Sequence, residues 1–124
     1  MRVAVTGRNG QVAKCLAERS GSCPSFDMVF LGRPVFDLTD RATIQSALDA
    51  LRPDVVISAA AYTSVDLAED EPELAREVNV VGPKAIAVWC QDNGARMIHL
   101  STDYVFGGTG NVAHVETDPF DPKG

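Results

Sequence analysis

The feature that most constrains this chain is a short apolar run, Val3-Ala4-Val5-Thr6, that passes directly into Gly7-Arg8-Asn9-Gly10-Gln11-Val12-Ala13. An apolar run of this kind reads as a buried strand, and glycines at its end read as a turn into a helix. Gly7 permits a tight turn. Gly10, with no Cβ, lets a ligand approach the backbone, and the small Ala13 lets the helix pack closely on the sheet. The N–H groups at a helix start have no partners within the helix and attract anions, so this junction suits the pyrophosphate of a dinucleotide. The spacing is Gly-x-x-Gly-x-x-Ala rather than Gly-x-Gly-x-x-Gly. Glycine also serves ordinary strand–helix turns. The position at the end of the first strand selects the phosphate-loop reading over a plain turn.

At 124 residues the chain is at most one domain, with 45% hydrophobic and 23% charged residues as in ordinary globular proteins. A formal net charge of −6 argues against a nucleic-acid or anionic-membrane surface. No apolar run reaches the length of a membrane span, and no secretory signal is visible at the N-terminus. Cys15, Cys23 and Cys90 lack metal-type spacing and fit a reducing cytoplasm. Cys15 and Cys90 fall within helical patterns and are expected to be small buried side chains.

Further along, Val12, Cys15, Leu16 and Arg19 follow helical spacing, ended by Ser20-Gly21-Ser22. Met28 to Leu31 reads as a second strand. Asp37-Leu38-Thr39-Asp40 offers an N-cap to a helix whose apolar face is Ile44, Ala47, Leu48 and Leu51. Residues 54–61 form a third strand, and its continuous apolar run predicts burial on both faces. Glu71-Pro72-Glu73 opens a long helix that reaches Asp92-Asn93-Gly94, with a kink expected at Pro83. Met97 to Ser101 is the fourth strand. From Gly107 onward the pattern predicts loop. Strand alternating with helix calls for a parallel sheet with right-handed crossovers. The expected fold is α/β: the first half of a Rossmann-like doubly wound sheet, in strand order 3-2-1-4. Its ligand would lie at the carboxyl ends of strands 1 and 4.

Several strand-end strings occur together and in order: Thr6-Gly7-x-x-Gly10-Gln11-x-Ala13, Ser58-Ala59-Ala60-Ala61-Tyr62-Thr63-x-Val65-Asp66, Val78-Asn79, and Ser101-Thr102-Asp103-Tyr104-Val105-Phe106. With them the chain resembles the extended short-chain dehydrogenase/reductase superfamily and, within it, the dTDP-4-dehydrorhamnose reductase family. The resemblance covers essentially all 124 residues. It implies NADPH-dependent reduction of dTDP-4-dehydro-L-rhamnose to dTDP-L-rhamnose, with NADH as the other nicotinamide cofactor to consider. The family's catalytic Tyr-x-x-x-Lys would follow the loop that begins at Gly107, but neither Tyr62 nor Tyr104 has Lys four residues on. Residues 1–124 are therefore expected to be the N-terminal part of an NAD(P)-binding domain, without the substrate domain and inactive alone. Leu67 replaces a residue that is usually charged in the family.

By the same resemblance, Gly7, Gly10, Gln11 and Val12 would contact the pyrophosphate, and Ala59, Ala60 and Ala61 would pass under the nicotinamide-side ribose. The alanines also suit sheet–helix packing. Asp37 and Leu38 match a segment that meets the adenosine, although Asp37 also suits a turn. Thr102 stands where the superfamily places the Ser or Thr of its catalytic triad. Its hydroxyl would hydrogen-bond the reacting carbonyl. Asp103 would reach the sugar hydroxyls or cap the following turn. Arg33 follows strand 2, where NAD-specific sites often carry an acid. With no acid at 31–33, its guanidinium suits a 2′-phosphate, the alternative being a solvated loop arginine. His99 reads as structural, His114 as loop surface, and the acidic run Asp66, Glu69, Asp70, Glu71 and Glu73 as a solvated helix entry rather than a metal site.

Two other functions share these motifs. One is a non-catalytic NADP-binding module resembling the methionine adenosyltransferase regulatory subunit. The other is a sugar-nucleotide epimerase or dehydratase of the same superfamily. The partners expected are a nucleotide sugar and, through an open strand-4 edge, a second copy of the chain.

Overall fold

The computed structural model describes residues 1–108 and 110–122. Four parallel strands form one sheet: β1 (Arg2–Thr6), β2 (Asp27–Leu31), β3 (Val55–Ser58) and β4 (Arg96–His99). Helices α1 (Gln11–Ser20) and α2 (Arg41–Leu51) follow β1 and β2. After β3 come α3 (Val65–Asp70), α4 (Pro72–Arg76), a π turn (Glu77–Val81) and α5 (Gly82–Asn93). A single 3₁₀ turn, Asp103–Val105, follows β4.

The strand order is β2-β1-β3-β4, which corrects the expected 3-2-1-4. The third strand crosses over β1 instead of continuing outward past β2. Its composition explains why. Val55 and Val56 are both buried, as a strand with a neighbour on each side requires, whereas the outer strands β2 and β4 contain no fully buried residue. The segment after β2 sends Phe36 and Leu38 into the core without forming a strand. The chain reverses its winding between β1 and β3, and the opening at the carboxyl ends of the strands lies there.

Alternation along β1 divides the core. Ala4 joins Val56 beneath α2 and α5, with Ile44, Leu48, Ile86, Trp89 and Cys90. Val3 and Val5 join Val55 and Ala13 on the α1 side. The Trp89 indole N–H donates to Asp49 Oδ1 at 2.8 Å and ties α5 to α2. Burial pushes the Cys90 thiol pKa up, which keeps it protonated and inert. Cys15 is exposed, contrary to the sequence expectation, because α1 turns that position outward from the face that buries Ala13.

The third strand is shorter than its apolar run: it stops at Ser58, and residues 59–61 leave the sheet as loop. The acidic run begins with a separate helix, α3, and Glu71 ends it. From Pro72 to Asn93 the chain stays helical, and the Pro83 irregularity is a π turn one turn upstream. In an α-helix the N–H at 83 would bond the Asn79 carbonyl, and proline has none. The wider turn instead sends the Gly82 N–H to the Glu77 carbonyl. β4 pairs with β3 alone among the described residues, and Ile98 and Leu100 beside its other edge are exposed. No helix among the described residues is long and apolar enough to cross a membrane.

Gly82 provides a check on this packing. A Cβ there would stand 2.7 Å from the Leu38 carbonyl oxygen and 2.8 Å from Leu38 Cβ. Helix propensity favours Ala over Gly, but the contact is with backbone and has no flexible end to move. Gly82→Ala is expected to lower stability by about 1–3 kcal/mol, as overpacking does. A denaturant melt showing a gain would mean that α5 and the Leu38 segment separate freely.

Candidate functional site at the β1–β3 opening

Gly7 ends β1 at φ 78°, in the left-handed region that glycine tolerates. It also lies against the alanine loop: a Cβ at Gly7 would be 3.0 Å from Ala60 Cα. The Gly10 N–H closes the turn onto the Gly7 carbonyl at 2.7 Å. Gly10 is the N-cap of α1, and no side chain caps that helix. The first N–H groups of any α-helix lack intrahelical acceptors. Here they emerge beside the exposed Gln11 and Val12, at the carboxyl end of β1. An anion placed there would meet oriented N–H groups and the positive end of the helix dipole.

Beside this junction is a cleft of about 230 Å³. The residues after β2 (Arg33, Asp37, Leu38), the alanine loop (Ala60, Ala61) and Tyr62, with Leu74 and Val78 of the helix beyond, line it. Five residues singled out in the sequence thus share one cleft. Asp37 is held by an Asx turn: its Oδ1 accepts from the Thr39 N–H at 3.0 Å and the Thr39 hydroxyl at 2.8 Å. The Thr39 N–H, followed by the Thr39 hydroxyl and the charge of Arg33, holds the Asp37 carboxyl below the usual range against the opposing effect of burial. The helix cap is Asp40, which accepts from the Ala42 N–H. Leu38 is buried against Gly82. A separate groove of about 170 Å³ between α2 and α5 is lined by helix residues alone.

Thr102 and Asp103 stand beyond β4, outside the cleft lining. The Thr102 hydroxyl accepts from the Tyr104 N–H and donates to Asp103 Oδ1, each at 3.2 Å, so Thr102 rather than Asp103 caps the turn. His99 is exposed, and its Nδ1 lies 3.2 Å from the buried Ser58 hydroxyl. His114 pairs with Asp118 at 3.0 Å and stacks on Phe106 at a centroid distance of 4.1 Å. Asp66, Glu69 and Asp70 are exposed on α3, while Glu71 accepts the Tyr62 hydroxyl at 2.6 Å. That bond raises the Tyr62 pKa, because it stabilises the protonated phenol beside a carboxylate. No group of three or more metal-ligating side chains occurs among the described residues.

A sequence profile described as the RmlD substrate binding domain matches residues 1–124. The chain belongs to this family. It is 47% identical over 122 residues to a dTDP-4-dehydrorhamnose reductase of Sinorhizobium fredii, covering 98% of this chain and 40% of that protein. The crystal structure of dTDP-4-dehydrorhamnose reductase from Bacillus anthracis in complex with NADP superposes with a TM-score of 0.91 at 36% identity. That match covers 98% of this chain and 43% of the other. A Thermus thermophilus UDP-glucose 4-epimerase complexed with NAD gives 0.81 at 27% identity, covering 99% and 45%. The chain thus spans about 40% of the length of the curated relatives it matches.

In this member of the RmlD substrate binding domain family, three residues to which the sequence reading gave no role shape the site. Thr6 is fully buried, and its hydroxyl accepts the N–H groups of Ala59 and Ala60, each at 3.0 Å. It replaces the ladder where β1 and β3 diverge, and so fixes the alanine loop. A polar residue closing an apolar strand, at the head of the glycine string, was its signal. Arg8 bonds its N–H to the Leu31 carbonyl and lays its side chain across Gly32, at the end of β2. Asn79 clamps Tyr62.

Proposed function

We propose that residues 1–124 are the N-terminal, cofactor-holding part of an NADPH-dependent dTDP-4-dehydrorhamnose reductase. The observation that carries this reading is the uncapped N-terminus of α1, which follows Gly7, itself packed on Ala60 of the cleft wall. The Gly10–Val12 backbone would hold the pyrophosphate. Ala59 to Ala61 would lie under a ribose, and Asp37 and Leu38 would border the adenosine. The bound cofactor supplies the hydride. Thr102 would donate a hydrogen bond to the sugar carbonyl once its hydroxyl leaves Asp103, whose carboxylate would then accept from the sugar.

Preference for NADPH follows from Arg8 and Arg33, both placed at the end of β2. Guanidinium groups there would pair with a 2′-phosphate, and no carboxylate stands at 31–33 to favour a ribose diol. Calorimetry is expected to show NADPH binding more tightly than NADH. Arg33→Ala should narrow the gap roughly tenfold or more, as loss of a charge-assisted hydrogen bond does. Equal affinities in the unaltered protein would remove the phosphate role of these arginines.

A further inference from the structure

We propose that Thr43 positions Asp37 at the adenosine end of the cleft without touching the nucleotide, an inference that rests on the cofactor reading above. Residues 32–40 join β2 to α2 with no helix or strand among them, so no ladder of backbone bonds fixes their peptide planes. Phe36 and Leu38 are buried on either side of Asp37 and hold the segment down. Burial of those side chains does not set the orientation of the peptide that joins Phe36 to Asp37. Thr43, half-buried in the first turn of α2, does: its hydroxyl accepts the Asp37 N–H at 3.0 Å. The same hydroxyl lies 2.8 Å from the Asp40 carbonyl and 3.2 Å from the Asp37 carbonyl, so its proton is donated back toward the start of the helix.

A single oxygen that both donates and accepts is what this junction needs, and a hydroxyl provides it. Side chains in a helix lean toward its N-terminus, and a bond to the carbonyl three residues back selects the threonine rotamer. The oxygen so placed meets Asp37, three residues before the cap. The cap itself is Asp40, whose Oδ1 accepts the Ala42 N–H at 2.9 Å, so α2 starts without help from Thr43. The next residue, Ile44, is fully buried in the core. Thr43 therefore ties the cleft edge to a turn that the core already holds. Asp37 Oδ1 takes the Thr39 N–H and hydroxyl, which leaves Oδ2 for a ligand. The Thr39 N–H holds that carboxyl below the usual range, so it meets a ligand as an acceptor only. Asp37 lines the cleft and Thr43 does not, so Thr43 acts through Asp37.

The test uses the full chain with Thr43→Val and Thr43→Ser, read by NADPH calorimetry and by amide exchange without nucleotide. Valine keeps the branching of threonine and removes the hydroxyl, while serine keeps the hydroxyl. Thr43→Val is expected to bind NADPH roughly five- to tenfold more weakly, the size expected from one neutral hydrogen bond. Thr43→Ser, which retains that bond, should stay within about twofold of the unaltered chain. The Asp37 amide should exchange faster in Thr43→Val, while Val5 and Val56 in the central strands stay protected. Asp37→Ala should weaken binding at least as much, and adding Thr43→Val to it should cause no further loss, because residues that act through one contact are not additive. Unchanged affinity in Thr43→Val or in Asp37→Ala, with the unaltered chain binding normally, overturns the positioning role and leaves the cofactor reading intact. An equal loss in Thr43→Ser overturns it, since the hydroxyl would not be the agent. A full further loss on top of Asp37→Ala overturns it, since Thr43 would then act elsewhere. Lost protection at Val5 and Val56 in Thr43→Val also overturns it, since the hydroxyl would then support the whole fold. If the unaltered chain fails to bind NADPH, the cofactor reading falls and this inference falls with it.

Discussion

Gly10→Val is expected to leave the sheet folded and to weaken NADPH binding on the order of a hundredfold or more, the loss expected when two charge-assisted hydrogen bonds go unmade. The two effects separate because of where Gly10 sits. Its backbone, at φ −77° and ψ 164°, is extended and open to any residue. A Cβ there would meet one atom, the Gly7 carbonyl oxygen, at 3.1 Å, which a shift of a few tenths of an ångström relieves. Beyond that contact the side chain would branch into the space in front of the first N–H groups of α1. A pyrophosphate would then be held away from the donors that make the helix start attractive. Gly7 offers no such separation, since its positive φ and its contact with Ala60 make any side chain a backbone problem. A thermal melt paired with calorimetry checks both halves. Unaltered affinity would take the glycine turn out of the site.

The local parts of this site were legible in the sequence because their signals are local. The strand, the glycine turn and the start of α1 lie within ten consecutive residues, Arg2 to Gln11, and each has its own chemistry. Arg33, Asp37, Ala60 and Ala61 line one cleft, each on a segment that follows the carboxyl end of a strand in an α/β fold. The strand order was not legible. It depends on which side of β1 a crossover returns to, and no single residue encodes that. Yet the burial predicted for Val55 and Val56 already conflicted with an edge position for strand 3. The roles of Thr6 and Asn79 went unread for a different reason. The partners of Thr6 are 53 and 54 residues away, and that of Asn79 is 17. A side chain that bonds the backbone of a distant loop leaves no periodic trace. Pro83 announced an irregularity, but not that the helix would continue through it by widening.

A polypeptide of these 124 residues is expected to oxidise NADPH with the 4-keto sugar nucleotide about 10²–10⁴-fold more slowly than a full-length reductase, the usual contribution of a general acid. A carbonyl that accepts hydride becomes an alkoxide and needs a proton delivered as the charge develops. Two tyrosines are available, and neither is prepared to give one. The Tyr62 hydroxyl already donates to Glu71, and the carboxylate raises its pKa, opposite to what a proton donor near neutral pH requires. Tyr104 is exposed on the 3₁₀ turn and has Gly108, not Lys, four residues on. In the roles proposed for them Thr102 and Asp103 would supply polarisation and hydroxyl contacts, and the hydrogen bond between them would have to break first. The expected result is therefore cofactor binding without useful turnover, read as the decay of NADPH absorbance against a full-length control. Turnover near that of the control, lost on Tyr62→Phe or Tyr104→Phe, would make that tyrosine the acid. It would move the reacting carbon away from Thr102 and toward the β1–β3 cleft or the exposed turn.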